Sequence, residues 1–337
     1  MKLAICHIEN SFSERWIKYC QEHGIEYKLV DCYANDIIFQ LENCQVLLWN
    51  WNDADYKAKK FAKQLIYSLE MIGKKVFPNK KTCWHYDDKV GQKYLLEAIG
   101  APFIETFVFY DKQKALEWVN TASFPKVFKL SVGSAANNVQ LVHNKSEAKR
   151  LVIKAFNHGF AQFNRFVSFK DKYKIWKINK NYNKTMTLLR AFARLFVPTQ
   201  LETLMGKEIG YAYFQEFIPN NKYDIRVVTT GKRAFALKRL CRENDFRASG
   251  SGVIVYDKDQ IDERCVQIAL EISQQLEVQS LAYDFVFDQR GNPKIIEISY
   301  TYAMEAYDKC EGYWDENCQW NAKKFSPQGW IIEDIIK

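Results

Sequence analysis

AYDFVFDQRGNPKIIEISY, residues 282–300, is the stretch on which the reading of this chain turns. It divides into two strand-like runs, Ala282 to Phe287 and Lys294 to Ser299, around the turn-rich Asp288-Gln289-Arg290-Gly291-Asn292-Pro293. With a hairpin turn centred on Arg290-Gly291, Phe285 faces Ile296 and Asp284 faces Glu297. Period-two alternation puts Tyr283, Phe285, Phe287, Ile296 and Ile298 on one face and Asp284, Glu297 and Ser299 on the other. Like charges side by side on a sheet cost roughly 0.2–1 kcal/mol unless compensated. The usual compensation for a cluster of oxygens is a hard divalent cation, which suggests magnesium. The hairpin alone is equally consistent with two acids facing solvent, and a one-residue slip in register would part them.

The 337 residues suffice for two or three compact units, and a hydrophobic fraction of 47% with 15% aromatics excludes a disordered chain. No apolar run reaches the length of a spanning helix, and MKLAICHIEN meets polar residues too early for a signal peptide. Nine cysteines without CxxC or Cys/His spacing fit reduced thiols in a cytoplasmic protein. The net charge of +8 is concentrated: residues 161–200 hold Arg165, Lys170, Lys172, Lys174, Lys177, Lys180, Lys184, Arg190 and Arg194 against the single acid Asp171.

Residues 1–85 alternate strand and helix. KLAICHI, EYKLV and QVLLWNW read as strands. A first helix opens on the capping box Ser11-x-x-Glu14, carries Phe12, Trp16 and Cys20 on one face and stops at Gly24. A second helix after Asp53 places Phe61, Leu65, Leu69 and Ile72 at helical spacing, with Gly73 as its stop. This predicts a small α/β unit with a parallel sheet and no Gly-rich dinucleotide turn. DDKVGQKYLLEAIGAP is a capped helix, followed by a strand at Thr106 to Tyr110 and a helix near Gln113 to Asn120. FPKVFKLSVGSAANNVQLV then gives a strand ending on Lys129, a loop of small residues that could approach phosphate oxygens, and a strand Val139 to Val142. Any hairpin needs such a loop, so the signal is weak by itself.

Residues 160–209 alternate aromatics with lysines and contain one short amphipathic helix, Met186 to Phe196. A solvated basic face explains any single lysine. The whole cluster favours an anionic partner, and spacing does not choose among nucleic acid, a membrane surface and an acidic glycan or nucleotide-sugar. YAYFQEFIPNNKYDIRVVTTGKRAFALKRL then gives three short strands, with Asp224 and Arg226 on one face of the middle one and Lys238-Arg239 ending the third. CRENDFRASGSG follows, and Asp262 caps a helix with an apolar stripe of Cys265, Ile268, Ala269, Ile272 and Leu276.

Over residues 86 to 305 the order of these parts resembles the ATP-grasp superfamily, in particular its ribosomal-protein glutamate ligase (RimK-like) and glutathione synthetase branches. The implied fold class is α/β, α+β in parts: an N-terminal α/β pre-ATP-grasp domain (1–85), a small lid subdomain (86–159), a basic aromatic insertion (160–209) and a C-terminal subdomain with the metal site (210–337). Lys89, in the DK that opens its helix, looks like the first nucleotide lysine, and Lys129 like the second. Gln215, Glu216, Phe217 and Ile218 resemble the segment that reads adenine. Asp224 serves the ribose region, and Lys238 completes the cofactor-binding set. Arg226, together with Arg247 of DFR, is the implied catalytic pair around the phosphates. Asp284, Glu297 and Ser299 match the metal positions, with Ser299 where the family has asparagine. The loop GSAANN has fewer glycines than the family's, and YTYAMEAYDKCEGYWDENCQW replaces its small-residue stretch after the metal motif. The variant pattern is similar to that of ATP-grasp proteins from bacterial surface-polysaccharide clusters.

The resemblance implies an ADP-forming carbon–nitrogen ligase using ATP and Mg2+. It would join a carboxylate to an amine through an acyl phosphate, with no nucleic acid expected as partner. The expected carboxylate is a uronic acid on a nucleotide, lipid or glycan carrier. Residues 161–200 would touch a lipid-linked glycan or membrane, and Tyr302, Tyr307, Tyr313 and Trp314 would either pack on a sugar ring or form the C-terminal core. A ligase adding amino acids to a protein tail and a non-catalytic ATP-binding scaffold are the alternatives.

Overall fold

The computed structural model describes residues 1–51, 55–133, 138–162, 165–178, 181–197, 206–241 and 252–337. They form two compact units, one from Met1–Tyr86, Leu95–Phe103 and Ile218–Lys337, the other from Asp87–Tyr94 and Ile104–Phe217. In the first unit, strands β1 (Leu3–Cys6), β2 (Tyr27–Val30), β3 (Val46–Leu48) and β4 (Lys75–Phe77) make a parallel sheet in the order β2-β1-β3-β4. β4 has no counterpart among the sequence expectations, because a three-residue run beside lysines carries no visible alternation. Helix Phe12–His23 is capped by Ser11 and ends at Gly24, whose φ of 64° lets its N–H reach the Cys20 carbonyl; it buries Phe12, Trp16 and Cys20 as expected. Helix Tyr56–Met71 departs from expectation: its buried side is Ala58, Ala62, Ile66 and Leu69, while Phe61 and Ile72 face solvent. The alanines let the helix approach its neighbours closely, and their small side chains leave large apolar residues such as Phe61 and Ile72 on the solvent side.

The second unit contains β5 (Thr106–Phe109), β6 (Lys126–Lys129), β7 (Gln140–Val142), β8 (Phe160–Ala161), β9 (Lys207–Glu208) and β10 (Ala212–Glu216). Four of them form an antiparallel sheet, β5-β10-β6-β7. Helices Lys112–Thr121 and Lys145–Asn157 cover one face, where Ala115, Val119, Ala148, Val152 and Ala155 pack with Phe128 and Phe214. β8 pairs with β9 beside Gly159, whose φ is +66° and where an added Cβ would lie 2.6 Å from the Glu208 carbonyl oxygen. Between these short strands the described residues include two helices, Arg165–Ile178 and Tyr182–Ala193. The first was not legible, because its aromatics and lysines lie on all sides and hide the helical period; the second begins four residues before the helix expected there.

The large sheet belongs to the first unit. Its strands are β11 (Tyr223–Thr230), β12 (Arg233–Leu240), β13 (Ile254–Val255), β14 (Ser280–Phe287), β15 (Pro293–Ser299), β16 (Tyr313–Trp314) and β17 (Trp320–Asn321), in the order β15-β14-β11-β12-β16-β17 with β13 on β12. Of the three strands expected after Gly210, β10 therefore joins a different sheet from the other two, and Pro219-Asn220-Asn221 is a changeover and not a hairpin turn.

The hairpin of residues 282–300 forms, with one irregularity. Near its turn Phe287 pairs with Pro293, Val286 with Lys294 and Phe285 with Ile295; the register then shifts, and Asp284 pairs with Glu297, Tyr283 with Ile298 and Ala282 with Ser299. Ile296 is the extra residue of a β-bulge. The expected partner of Phe285 was Ile296, but Ile295 takes that place and is fully buried, while Ile296 is half-exposed. Without the bulge the turn's own register would set Asp284 opposite Ile296. The extra residue restores the pairing of the two carboxylates. Tyr283, Phe285, Ile295 and Ile298 all lie in the core, and the Tyr283 hydroxyl meets Ser273 Oγ of helix Glu263–Leu276 at 2.7 Å.

Ile295→Ala should therefore cost ~2–5 kcal/mol of stability and Ile296→Ala under about 1 kcal/mol, measured by urea unfolding. Equal losses at the two positions would contradict the bulge.

Candidate functional site

Two groups of polar side chains stand out, one in each unit. In the first unit, cross-strand pairing sets Asp224 opposite Arg239, Arg226 opposite Asp284, and Asp284 opposite Glu297, all on one face of three adjacent strands and their edge neighbour. Arg226 Nε donates to Asp284 Oδ1 at 2.5 Å and its Nη2 to Oδ2 at 2.7 Å. Arg239 Nε and Nη2 donate to the two oxygens of Asp224 at 2.7 and 2.6 Å, and its Nη2 also lies 3.0 Å from Asp284 Oδ1. Both aspartates are buried. Burial opposes ionisation of Asp284, but the Arg226 and Arg239 guanidiniums outweigh it and hold the carboxyl well below its ordinary range. Asp224, for which burial is the larger influence, is pushed upward although Arg239 opposes this. Arg226 is raised: its burial is outweighed by the Asp284 charge.

Glu297 and Ser299 continue this face along β15, and Ser299 Oγ donates to the Thr301 carbonyl at 2.9 Å, which leaves its oxygen lone pairs directed elsewhere. An ionised Asp284, Glu297 and a serine hydroxyl make a set of hard oxygen donors. Three of the roughly four lone-pair positions of Asp284 are taken by guanidiniums. Among the described residues no group of three or more His, Cys, Asp or Glu side chains converges as a cage would. The set fits magnesium, which takes one or two carboxylates and completes its shell with water and phosphate oxygens.

In the second unit, Lys129 Nζ donates to Gln215 Oε1 at 2.6 Å, and Gln215 Nε2 donates to Thr106 Oγ1 at 3.2 Å; all three side chains are buried. The next residue, Glu216, lies on the other face of β10 and pairs with the buried Lys126. Lys89 Nζ donates to the Gly133 carbonyl at 2.7 Å, Asp87 Oδ1 accepts from Gly133 N at 2.7 Å, and Asp88 Oδ1 accepts from Ser131 Oγ at 2.9 Å. Tyr211 Oη holds Ser131 N at 2.6 Å and donates to Glu208 at 2.7 Å. The start of the small-residue loop is thus anchored from both the Asp87–Lys89 corner and Tyr211, which precedes β10, and its residues 134–137 lie outside the described set. The chain passes from this unit to the other between Phe217 and Ile218.

Of the expected residues, Arg226, Asp224, Asp284, Glu297 and Ser299 share one face, and Lys129 joins Gln215. Lys238 does not join the first group. It alternates with Arg239 onto the opposite face, pairs with Ile225 and lies 4.1 Å above the Tyr223 ring. Arg247 lies outside the described residues. The tail aromatics are core: Tyr302, Tyr307 and Trp314 are buried, Tyr302 against Phe12 and Phe235, Trp314 against Trp320, and Tyr313 packs on Phe325 and Trp330. Tyr302, Tyr307 and Trp314 therefore offer no sugar-stacking surface, and Tyr313 is partly buried. The hydroxyl of Tyr307 is buried without a hydrogen-bond partner among the described residues, near enough to Arg226, Arg239 and Asp284 to feel their charges. Arg239 and Lys126, which take part in the two groups, were not among the expected site residues. A turn at Gly231-Lys232 already pairs residue 224 with 239, so the register held the signal for Arg239.

Because its carboxyl is held low, Asp284 contributes stability that is complete above the unfolded value of about 3.9 and is withdrawn as pH falls toward the folded one. Asp284→Asn should cost ~3–5 kcal/mol at neutral pH. Its deficit should shrink by about 1 kcal/mol between about pH 5 and pH 3 in urea titrations. A constant deficit would show that the arginines do not hold the carboxylate ionised.

Residues 196–313 match the family model described as a RimK-like ATP-grasp domain. Comparison with curated proteins gives no match. Among solved structures, a RimK domain ATP-grasp protein from Sphaerobacter thermophilus is similar at 14% identity and a TM-score of 0.57, covering 100% of this chain and 99% of the other. D-alanine–D-alanine ligase from Bacillus anthracis is similar at 13% identity and a TM-score of 0.56, over 90% of this chain and 88% of the other. N5-carboxyaminoimidazole ribonucleotide synthetase from Thermotoga maritima is similar at 13% identity and a TM-score of 0.61, over 99% and 75%. At these identities the likeness speaks for the fold. The protein has the ATP-grasp fold, and its residues 196–313 match the RimK-like ATP-grasp domain model.

Proposed function

We propose that the protein is an ADP-forming ligase that uses ATP and Mg2+ to join a carboxylate to an amine. The observation that carries this reading is the bulge-restored pairing of Asp284 with Glu297 beside two guanidiniums, a set suited to a metal–triphosphate and lacking a nucleophile of its own. Magnesium bound by Asp284, Glu297 and Ser299 would neutralise phosphate charge. Arg226 supplies positive charge for the transferring phosphoryl group, and Arg239, held by Asp224, fixes the position of Asp284. Lys129 and Lys89 are the phosphate lysines, with Gln215 setting the ammonium of Lys129. Arg247 takes the second catalytic position in this reading, and Gln215 to Ile218 contact adenine.

The reaction balances in two displacements. A carboxylate oxygen of the acceptor attacks the γ-phosphorus and ADP leaves, giving an acyl phosphate. The amine nitrogen then attacks the acyl carbon, the acyl C–O bond breaks with its electron pair going to the departing phosphate, and the nitrogen loses a proton to solvent. For the acceptor we infer a uronic acid on a carrier, as in surface-polysaccharide assembly. Its support is the excess of cations over residues 161–200, since the tail aromatics are committed to the core.

With ATP, magnesium and a panel of carrier-linked uronic acids, hydroxylamine should trap a hydroxamate with stoichiometric phosphate release. ATP binding without turnover across the panel would favour a scaffold, and turnover only with peptides would favour a peptide ligase. Glu297→Gln should lower kcat by at least about a hundredfold with the fold intact by circular dichroism, and Lys129→Ala should raise the KM for ATP at least about tenfold. Full activity in Glu297→Gln would remove the metal assignment.

A further inference from the structure

The helix pair between β8 and β9 supplies no residue to the phosphoryl and acyl transfer above, where its cations entered only as support for an anionic acceptor, and its surface is unusual for a soluble hairpin. Leu189, Phe192, Phe196 and Val197 are 57%, 51%, 73% and 65% exposed. Leu189 and Phe192 lie three residues apart on helix Tyr182–Ala193, and Phe196 follows in the turn in which Leu195 and Phe196 donate back to Phe192 and Ala193. They form one apolar stripe. Arg190 and Arg194, four residues apart and both exposed, run beside it. On helix Arg165–Ile178 the exposed side chains Lys170, Tyr173 and Lys177 recur at the same helical interval.

The pair is internally well built. Trp176 Nε1 donates to Thr185 Oγ1 at 2.9 Å across the two helices, Ala191 is buried, and Asn181 caps the second helix by accepting from Lys184 N. The exposed apolar side chains are therefore not the remnants of a loose fold. Lys172 is pushed down by burial and by the Arg194 guanidinium, so cations crowd together here instead of alternating with acids. Asp171 is the single acid between residues 161 and 200.

Cations alone suit any polyanion, and apolar side chains alone suit any hydrophobic partner. Their combination narrows the choice: aliphatic and aromatic side chains that enter an acyl boundary, flanked by arginines and lysines at headgroup level. No helix among the described residues is long and apolar enough to cross a membrane. We propose that the helix pair Arg165–Ile178 and Tyr182–Ala193, with the turn through Val197, lies on an anionic lipid surface, its apolar stripe inserted and its cations on the phosphates. This reading is independent of the ligase activity.

The test is co-sedimentation of the full chain with phosphatidylcholine vesicles and with vesicles containing about 30% phosphatidylglycerol. The wild type should partition onto the anionic vesicles at least about tenfold better than onto neutral ones, and less so in high salt. Leu189→Ser/Phe192→Ser/Phe196→Ser and Lys170→Gln/Lys177→Gln/Arg190→Gln/Arg194→Gln should each lose at least about tenfold, with unchanged thermal unfolding away from vesicles. Equal partition onto both vesicle types, or none onto either, overturns the proposal. So does loss in the charge variant without loss in the apolar variant. Tighter binding of a single-stranded oligonucleotide than of vesicles, indifferent to the apolar variant, would assign the face to nucleic acid instead.

Discussion

Two buried aspartates and two arginines, interleaved across β11, β12 and β14, set the terms for the large sheet. Charges removed from water must find partners at close range, since leaving one uncompensated costs several kcal/mol. Each guanidinium here grips a carboxylate with two nitrogens, and Arg239 touches both acids. This geometry tolerates little movement between neighbouring strands. A slip of one residue would carry every member of the group to the wrong face, so the ion pairs also lock the register.

The bulge at Ile296 serves the same group from the other side. A regular hairpin grown from the Asp288–Asn292 turn would leave Asp284 beside an isoleucine. One extra residue gives Ile295 to the core and returns Glu297 to Asp284. Core packing near the turn and carboxylate pairing farther along thus require different registers, and the bulge lets one strand meet both requirements.

Much of this was legible in the sequence, for identifiable reasons. Strong signals were those that depend on neighbours along the chain: the Ser11 cap, the Gly24 stop and the strand runs; the Asp284–Glu297 pairing matches expectation only because the bulge corrects the register set at the turn. The bulge was not legible, because it depends on which of Ile295 and Ile296 fits the core, a question of packing across the sheet. The buried alanines of helix Tyr56–Met71 were missed for the same reason. Helix Arg165–Ile178 escaped because it has no single apolar side, the very property that sets its surface apart. Arg239 could have been found by extending the register of the turn at Gly231-Lys232 along both strands; Lys238 drew attention first and belongs to the other face.

β15 is the edge of the large sheet, and edge strands invite pairing with other chains. Here the outer side of that strand is partly covered: Ile295 N donates to the Pro102 carbonyl at 2.9 Å, and Phe103 makes a parallel bridge to the same residue. Pro102 offers no N–H of its own to extend a ladder. The short segment after Gly100 therefore occupies, at the bulge, the place where a foreign strand would begin to add, and the strand carrying Glu297 and Ser299 is guarded against recruitment into intermolecular sheets.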